Sequence, residues 1–294
     1  MSVTNNRRNE YRDLDPSIVS GYLDGRSITT IERFSTGKAN TNFKLILSDG
    51  QAVVVRLFSE SNQSSPAREL KIAELVGDSV PNPKMFDHGK DWAVYEFMEG
   101  EPLIGHQEYA HVAAAAIAQL SRIRLPKTGW ITETGSVQPF EFGDDYFGVI
   151  MANEEVRSWL GQDRLVMLKS ILANEAGRLA EMHTQPSLVH GDFNPTNVLV
   201  SDGELTALLD WEWSHAGTPY MDIGNLLRNI DRKHHHLIQR GLLDGGFDLP
   251  QDWKERATLI DLASHLEFLS SSHSDDFKRT RIDLVDSFVS SAIR

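Results

Sequence analysis

The stretch that decides the fold of this chain is His190–Asn197, which reads HGDFNPTN and is followed further along by Asp210. Two short apolar runs, 198–200 and 204–209, lie between this stretch and Asp210. They are separated by Asp202-Gly203, a pair that tolerates the positive φ angles of a two-residue hairpin turn. The sequence therefore predicts that the chain doubles back and carries Asp210 toward the end of the HGDFNPTN loop.

Asn197 and Asp210 are predicted to meet at one end of this hairpin. Counting back along both strands from the turn places Asn197 near Leu208, and so close to Asp210. Amide and carboxylate oxygens are hard ligands that Mg²⁺ accepts, and Mg²⁺ takes its remaining ligands from water and substrate phosphates. The pattern indicates a magnesium site at Asn197 and Asp210. The alternative is an ordinary loop, because Asp and Asn are common turn residues.

Asp192 precedes Asn197 by the spacing of the H-R-D-x-x-x-x-N loop of kinases, in which the Asp orients or accepts the acceptor hydroxyl. The segments HGDFNPTNVLV, LLDWEWS and TPYMDIGNLLR resemble those of the aminoglycoside phosphotransferase and choline kinase-like family of small-molecule kinases. The resemblance covers most of the chain. It implies an α+β, two-lobed protein-kinase-like fold. Residues 1–97 would form the nucleotide-binding lobe, an antiparallel sheet plus a helix, and residues 98–294 a larger, mainly helical catalytic and substrate-binding lobe.

The resemblance also implies roles for individual residues. Asp192 would be the catalytic residue, and Asn197 and Asp210 would hold Mg²⁺, with ATP or GTP as the co-substrate. His190 and Asp222 would support the catalytic loop. Asp222 could equally be the N-cap of the helix that follows it, and the two roles are compatible.

Arg56 and Glu69 are predicted to form an ion pair in the N-terminal lobe. Arg56 is the one cation of the apolar strand 52–57, and Glu69 lies on the inward face of a helix that opens at Ser65-Pro66. A carboxylate on an inward face costs several kcal/mol unless it is paired. This pair would replace the Lys–Glu pair that clamps the α- and β-phosphates in kinases. The alternative is a surface Arg and a helix Glu that do not touch.

Two further segments are predicted to contact the nucleotide. The polar loop 35–42 carries Gly37 and Lys38 between two strands, although neither G-x-G-x-x-G nor a P-loop is present. Its phosphate-covering role is inferred from its position. The strand at 92–98 resembles the kinase hinge, in which the carbonyl of Glu96 and the amide of Met98 would bind the base.

The composition limits the chemistry, the location and the binding partners that this protein can have. Its 294 residues contain no cysteine, so disulfides, thiolate zinc sites and thiol catalysis are excluded. No run approaches the roughly 20 apolar residues that span a bilayer, and the start lacks an apolar leader. We expect a cytoplasmic protein with no membrane partner. The net charge of −13 favours cationic partners and disfavours nucleic acid. The sequence leaves the oligomeric state open.

A small hydroxylated acceptor is predicted, because the short segment between Asp210 and Asp222 leaves no room for a peptide-docking segment. The acidic composition favours an aminoglycoside-like or other cationic antibiotic, and therefore a role in antibiotic resistance. Candidate acceptor-binding residues are Glu212, Asp144 and Asp145.

Other acceptors and other functions remain open. A metabolite such as choline, homoserine or a sugar is the alternative acceptor. Trp211, Trp213 and Tyr220 could form an aromatic cage for a quaternary ammonium group, or could simply belong to the core. A non-catalytic nucleotide-binding protein of the same fold is disfavoured because Asp192 and both metal ligands are present. A metal-dependent hydrolase would leave the Arg56 pair without a purpose.

Overall fold

The N-terminal lobe is built on one antiparallel sheet. The computed structural model of the protein describes residues 9–35, 39–59, 64–143 and 145–292. The five strands lie in the order β1-β2-β3-β5-β4, and a 3₁₀ turn and a short helix precede them. These elements are the turn Pro16–Val19, α1 (Ser20–Leu23), β1 (Ile28–Arg33), β2 (Thr41–Leu47), β3 (Ala52–Leu57), β4 (Met85–His88) and β5 (Trp92–Glu96).

The two faces of this sheet have different environments. Alternate residues of β2 and β3, such as Leu45 and Val55, are buried with Val19 in a small apolar core. The residues between them, which include Asn42 and Arg56, point to the opposite face, because successive side chains of a strand alternate. That opposite face carries the predicted nucleotide residue Arg56.

Helix α2 (Pro66–Val76) connects the sheet to the rest of the molecule. Ser65 caps it by accepting a hydrogen bond from the Arg68 amide, and Pro66 occupies its first turn, where a missing N–H costs nothing. Ile72 and Val76 are fully buried, and they belong to the large core of the C-terminal lobe rather than to the small core of the sheet. The helix that carries Glu69 is therefore held by contacts with both lobes.

The C-terminal lobe is mainly helical, with short strands that frame its loops. It contains a three-stranded sheet β11-β10-β6 and a four-stranded sheet β8-β7-β12-β9. The described residues contain no helix that is both long and apolar enough to cross a membrane. The elements are β6 (Glu101–Pro102), α3 (Ala110–Leu120), β7 (Gly129–Ile131), β8 (Val137–Gln138), α4 (Tyr146–Ala152), α5 (Glu154–Asn174), α6 (Ala176–Met182), β9 (Ser187–Val189), β10 (Val198–Ser201), β11 (Glu204–Leu208), β12 (His215–Gly217), α7 (Tyr220–Asn229), α8 (His235–Asp244), α9 (Trp253–Glu267) and α10 (Asp275–Ala292).

An antiparallel sheet with helices α1 and α2, followed by a larger helical part, confirms the predicted α+β class and two-lobed architecture. The boundary predicted after residue 97 falls in the irregular segment 97–100 that links β5 to β6. That boundary stays a prediction.

The predicted hairpin forms between β10 and β11, but its register was wrong by one residue at the end near the loop. A β-bulge shifts the pairing, so that Val198 rather than Asn197 faces Leu208. An extra residue on one strand moves every later pair by one position. As a result, the Leu209 amide donates to the Asn197 carbonyl at 2.8 Å, which brings Asn197 one residue closer to Asp210.

Candidate active site

Two asparagine amides hold the carboxylate of Asp192. Asn194 Nδ2 donates to one oxygen at 2.9 Å, and Asn197 Nδ2 donates to the other at 3.0 Å. Asn197 also donates to the Asp192 carbonyl at 3.0 Å. The carboxylate is thereby oriented on both sides. Asn194 was missed from the sequence. Its position two residues after Asp192 could have indicated it, because Asx side chains commonly bond across such a short turn.

His190 ties the start of the loop to the residue before Asp210. Its Nε2 donates to the Leu209 carbonyl at 2.9 Å, and its Nδ1 accepts from the Asp192 amide at 3.3 Å. The ring is 1% exposed, and burial lowers the pKa of His190. One donating and one accepting nitrogen match a neutral imidazole. His190 is therefore a structural bridge between the two predicted functional segments.

Asp222 braces the other side of the same loop. Its two carboxylate oxygens accept from the amides of His190 at 2.8 Å and Gly191 at 3.0 Å. Burial raises the pKa of Asp222 to about 7, although the two amide donors oppose this shift. Helix α7 starts at Tyr220, so Asp222 lies inside its first turn and is not its N-cap.

Gly191 is required by the backbone at this point. Its φ is +82°, and a β-carbon there would lie 2.3 Å from the Trp213 carbonyl oxygen. Only glycine adopts this conformation freely and leaves room for Trp213. The close approach places Trp213 directly beside the residue that precedes Asp192.

Asn197 and Asp210 present oxygens that suit a hard cation. Within the described residues no group donates a hydrogen bond to Asn197 Oδ1, because its amide nitrogen is the atom used by Asp192. Asp210 adopts a left-handed backbone with φ of 67°, and its side chain is 36% exposed. Burial of the carboxylate, with added repulsion from Glu212, raises the pKa of Asp210 to about 7, and Arg56 opposes the shift. The donor set fits Mg²⁺.

The structure brings Arg56 and Glu69 together. Arg56 Nη1 lies 3.0 and 3.2 Å from the two oxygens of Glu69, and 3.4 Å from Asp210 Oδ1. Burial alone would lower the pKa of Arg56, but the charges of Glu69 and Asp210 outweigh it and raise that pKa. Glu69 also accepts from Ser64 at 3.0 Å and Tyr95 at 2.5 Å. The carboxylate is fully partnered, as a buried charge requires.

Arg68 and Asn40 connect the two lobes and were missed from the sequence. Buried Arg68 donates to the backbone carbonyls of Ile131 and Glu212, each at 2.8 Å, and to that of Ser214. Asn40 Nδ2 donates to the Glu212 carboxylate at 3.2 Å. The sequence contains no signal for the Arg68 bonds, because backbone acceptors leave no pattern in side-chain identity. It contains none for the Asn40 bond either, because Asn40 and Glu212 are too far apart in sequence for their spacing to indicate a contact.

The other residues predicted to bind the acceptor or the nucleotide differ in exposure and in hydrogen bonding. Glu212 is 7% exposed and is engaged by Asn40. Asp145 is exposed and caps α4 by accepting from the Gly148 amide. The Glu96 amide donates to the Lys84 carbonyl, whereas the Met98 amide has no partner among the described residues. Gly37, Lys38 and Asp144 lie outside the described residues.

The three aromatic residues Trp211, Trp213 and Tyr220 do not form an exposed cage. Trp211 and Tyr220 are each 7% exposed and belong to the large core. Trp213 is partly exposed.

Comparison with known proteins identifies the class of this chain. The family model of the phosphotransferase enzyme family matches residues 30–259, which is most of the chain. The chain belongs to this family. The match confirms the predicted resemblance and the predicted class of enzyme, a small-molecule phosphotransferase.

Solved structures share the fold at low identity. A Thermobifida fusca protein assigned as a fructosamine-3-kinase gives a TM-score of 0.69 at 16% identity, covering 93% of this chain and 99% of that one. Macrolide 2'-phosphotransferase MphH from Brachybacterium faecium gives 0.66 at 15% identity, covering 93% and 98%. A thermostable mutant of aminoglycoside phosphotransferase APH(4)-Ia, in a ternary complex with ADP and hygromycin B, gives a TM-score of 0.63 at 18% identity, covering 94% of this chain and 97% of that one.

Curated relatives match over part of their length. Acyl-CoA dehydrogenase family member 11 of Rattus norvegicus is 25% identical over 225 residues, which are 69% of this chain and 28% of the relative. The Homo sapiens protein of the same name is 23% identical over 237 residues, or 70% and 29%. The chain therefore spans less than a third of the length of these relatives.

Proposed function

We propose that this protein transfers the γ-phosphate of ATP or GTP to a hydroxyl of a small molecule, with Asp192 as the catalytic residue. The observation that carries this proposal is the convergence of Asp192, Asn197, Asp210 and Arg56 in one cleft. Asn197 donates to Asp192, Arg56 lies 3.4 Å from Asp210, and the backbone bond from the Leu209 amide to the Asn197 carbonyl holds the two pairs next to each other.

Each of these residues would have a distinct role. Asp192, held by Asn194 and Asn197, orients the acceptor hydroxyl and takes its proton as the oxygen attacks the γ-phosphorus. The bond between the γ-phosphorus and the oxygen that bridges it to the β-phosphate breaks in the same step, and ADP or GDP leaves. Arg56 contacts the α- and β-phosphates while Glu69 fixes its guanidinium. His190 and Asp222 hold the loop that positions Asp192.

Asn197 and Asp210 would hold Mg²⁺. When bound, the metal would supply charge neutralisation for the β- and γ-phosphates. The proposal is supported by the open Oδ1 of Asn197 and by the pKa of Asp210, which burial and, to a smaller extent, the nearby Glu212 carboxylate raise, since a bound cation would offset both effects. ADP is bound in the APH(4)-Ia complex, which supports a nucleotide co-substrate for this chain.

The base would bind along the segment that follows β5. The Met98 amide, which has no partner among the described residues, would donate to the base, and the Glu96 carbonyl would accept. Gly37 and Lys38 remain proposed phosphate contacts on sequence grounds. A cytoplasmic location likewise remains a prediction from the sequence.

The acceptor is proposed to be a cationic hydroxylated molecule, with an aminoglycoside-like antibiotic favoured by the net charge of −13. Hygromycin B in the APH(4)-Ia complex is of this kind. Asp145 is exposed and available for such a contact, whereas Glu212 is already engaged by Asn40. The alternative is a metabolite such as choline, homoserine or a sugar.

Phosphate transfer from γ-labelled ATP and GTP should be measured against aminoglycosides, choline, homoserine and sugars, with and without Mg²⁺. The proposal expects one acceptor class to be labelled in a Mg²⁺-dependent manner. The absence of both labelled product and nucleotide hydrolysis, with every acceptor tested, would contradict the proposal. Asp244→Ala, on the exposed surface of α8, is the matched control for Asp192→Ala.

A further inference from the structure

Two arginines and one carboxylate meet where helices α7, α9 and α10 pack together in the C-terminal lobe. Arg228 lies near the end of α7, Asp261 lies on α9, and Arg281 lies on α10. The two guanidinium groups lie 5.8 Å and 5.7 Å from the ring centroid of Phe268, in the turn that follows α9. This group of Arg228, Asp261 and Arg281 is here named the arginine junction.

The arginine junction carries one more positive charge than negative charge. Asp261 is buried and accepts a hydrogen bond from Arg228, so these two charges offset each other. Burial and then the charge of Arg228 lower the pKa of Arg281, and Asp261 opposes this shift only in part. Burial and the same two arginines lower the pKa of His265 to about 3, although this ring lies 3.4 Å from Asp261. The histidine is neutral at pH 7, and the junction keeps its positive potential.

Arg281 has no hydrogen-bond acceptor in the part of the chain that the structure describes. Its Nε is buried without a partner. Its two Nη atoms form no hydrogen bond or ion pair within the described ranges either, and because they are not buried they reach solvent. By contrast, Arg56 donates to Glu69, and Arg68 donates to three carbonyls. Since a partly buried charge is costly without an acceptor, Arg281 is suited to a negatively charged partner that comes from solvent.

Two aromatic rings hold the guanidinium of Arg281 in place. The ring centroid of Phe277, one helical turn earlier on α10, lies 4.4 Å from it. The rings of Phe277 and Phe268 are 5.4 Å apart, edge to face, and so support each other. Contact with ring faces orients a guanidinium without using its N–H groups. The Nη donors are thereby left for a two-pronged contact with an oxyanion.

We propose that the arginine junction is a binding site for a phosphate group, which Arg281 contacts with its Nη atoms and Arg228 attracts by its charge. A phosphate group is favoured over a carboxylate because it carries close to two negative charges at pH 7 and offers three acceptor oxygens. Free phosphate and the phosphate of a larger molecule share this chemistry. Arg228 lies roughly 9 Å along the axis of α7 from Asp222, which braces the loop of the proposed active site. Binding at the junction does not depend on the phosphotransfer reaction.

Binding is tested on the full chain with inorganic phosphate, phenyl phosphate and acetate as probes. Side-chain NMR follows the Nε–H signal of Arg281, which is assigned by its loss in Arg281→Gln. Inorganic phosphate or phenyl phosphate should shift this signal with a millimolar Kd, and acetate should bind more weakly. Tighter binding of phenyl phosphate would support the phosphate of a larger molecule as the occupant, and tighter binding of inorganic phosphate would support the free ion.

Backbone amide signals of α10 report binding in the variants. Arg281→Gln should raise the Kd for phosphate about tenfold, the scale of one lost charge-assisted hydrogen bond. The matched control is Arg279→Gln, which removes an exposed arginine of the same helix that pairs with Asp276. It should bind phosphate as the parent does. Asp261→Asn should instead lower the Kd, because it removes the carboxylate that offsets the arginine charges.

A second control separates the arginine junction from the proposed nucleotide site. Arg56→Ala should leave the phosphate-induced shift of the Arg281 signal unchanged. The proposal is overturned if neither phosphate probe shifts this signal at millimolar concentration, if acetate binds as tightly as phosphate, or if Arg281→Gln binds phosphate as tightly as the parent. Loss of the shift in Arg56→Ala, or weaker binding in folded Asp261→Asn, would also overturn it.

Discussion

Arg68 and Glu69 are consecutive residues of α2, yet their side chains serve different lobes. Glu69 pairs with Arg56 on the N-terminal sheet at 3.0 Å, and Arg68 donates to carbonyls of the C-terminal lobe that flank the segment after Asp210. One turn of one helix therefore holds in place both Arg56, the proposed phosphate contact, and the backbone that follows Asp210, a proposed metal ligand. Displacement of α2 would disturb both at once.

Asp192→Ala should lower kcat by about 10²–10⁴-fold, the usual contribution of a positioned general base. Nucleotide affinity should stay close to that of the parent, because Asp192 is proposed to act on the acceptor hydroxyl. Steady-state kinetics and calorimetry of nucleotide binding check both parts. Turnover equal to that of the parent would remove Asp192 from the catalytic role.

Asp210→Asn should abolish the Mg²⁺ dependence of ATP binding, because the amide keeps the shape of the side chain but loses its charge. Calorimetric titrations with and without Mg²⁺ provide the measurement. Asp202→Asn at the exposed hairpin tip is the matched control and should bind as the parent does. An unchanged Mg²⁺ effect in Asp210→Asn would exclude the ligand role.

Arg56→Ala and Glu69→Ala should each weaken nucleotide binding, and the double variant should lose much less than the sum of the two. Residues in direct contact show coupling free energies of about 0.5–3 kcal/mol. The cycle is measured as Kd for ATP. Glu74 is an exposed residue of the helix that carries Glu69, so Arg56→Ala and Glu74→Ala should have additive effects on ATP binding. Additivity of the Arg56 and Glu69 changes would mean that the contact plays no part in binding.

Arg68→Ala should destabilise the fold by about 3 kcal/mol, because three buried carbonyls lose a charged donor. Chemical denaturation measures the loss in free energy of unfolding. Lys71→Ala lies on the exposed side of the same helix, where its ion pair with Glu74 contributes little, and should cost at most about 0.5 kcal/mol. Equal costs for the two variants would refute the interlobe role of Arg68.

His215 should make the free energy of unfolding depend on pH. Burial lowers the pKa of His215 to about 4, whereas an unfolded histidine titrates near 6.5. Between these values the unfolded chain holds a proton that the folded protein lacks, so stability falls as the pH falls. One such proton contributes about 1.4 kcal/mol per pH unit.

The His215 contribution is isolated by comparing the parent with His215→Gln in denaturation series from pH 4.5 to pH 7. The variant should show a shallower loss of stability at low pH. His236→Gln, at an exposed position of α8, is the control and should follow the parent. If the free energy of unfolding changed with pH by the same slope in the parent and in His215→Gln, burial would not shift the pKa of this histidine.

The sequence by itself determined the HGDFNPTN loop and the hairpin, because these depend on local spacing and on the conformational preferences of Asp-Gly, and it indicated the class of fold through the resemblance of its motifs to a known family. It also indicated the Arg56–Glu69 pair, since a carboxylate on an inward helical face needs a cation. Only the tertiary structure decided the bulge that aligns Asn197 with Leu209, the two carboxylate bonds of Asp222, and the bonds of Arg68 and Asn40 across the lobes. These contacts join residues that are distant in sequence, and many of them use backbone atoms, which every residue carries.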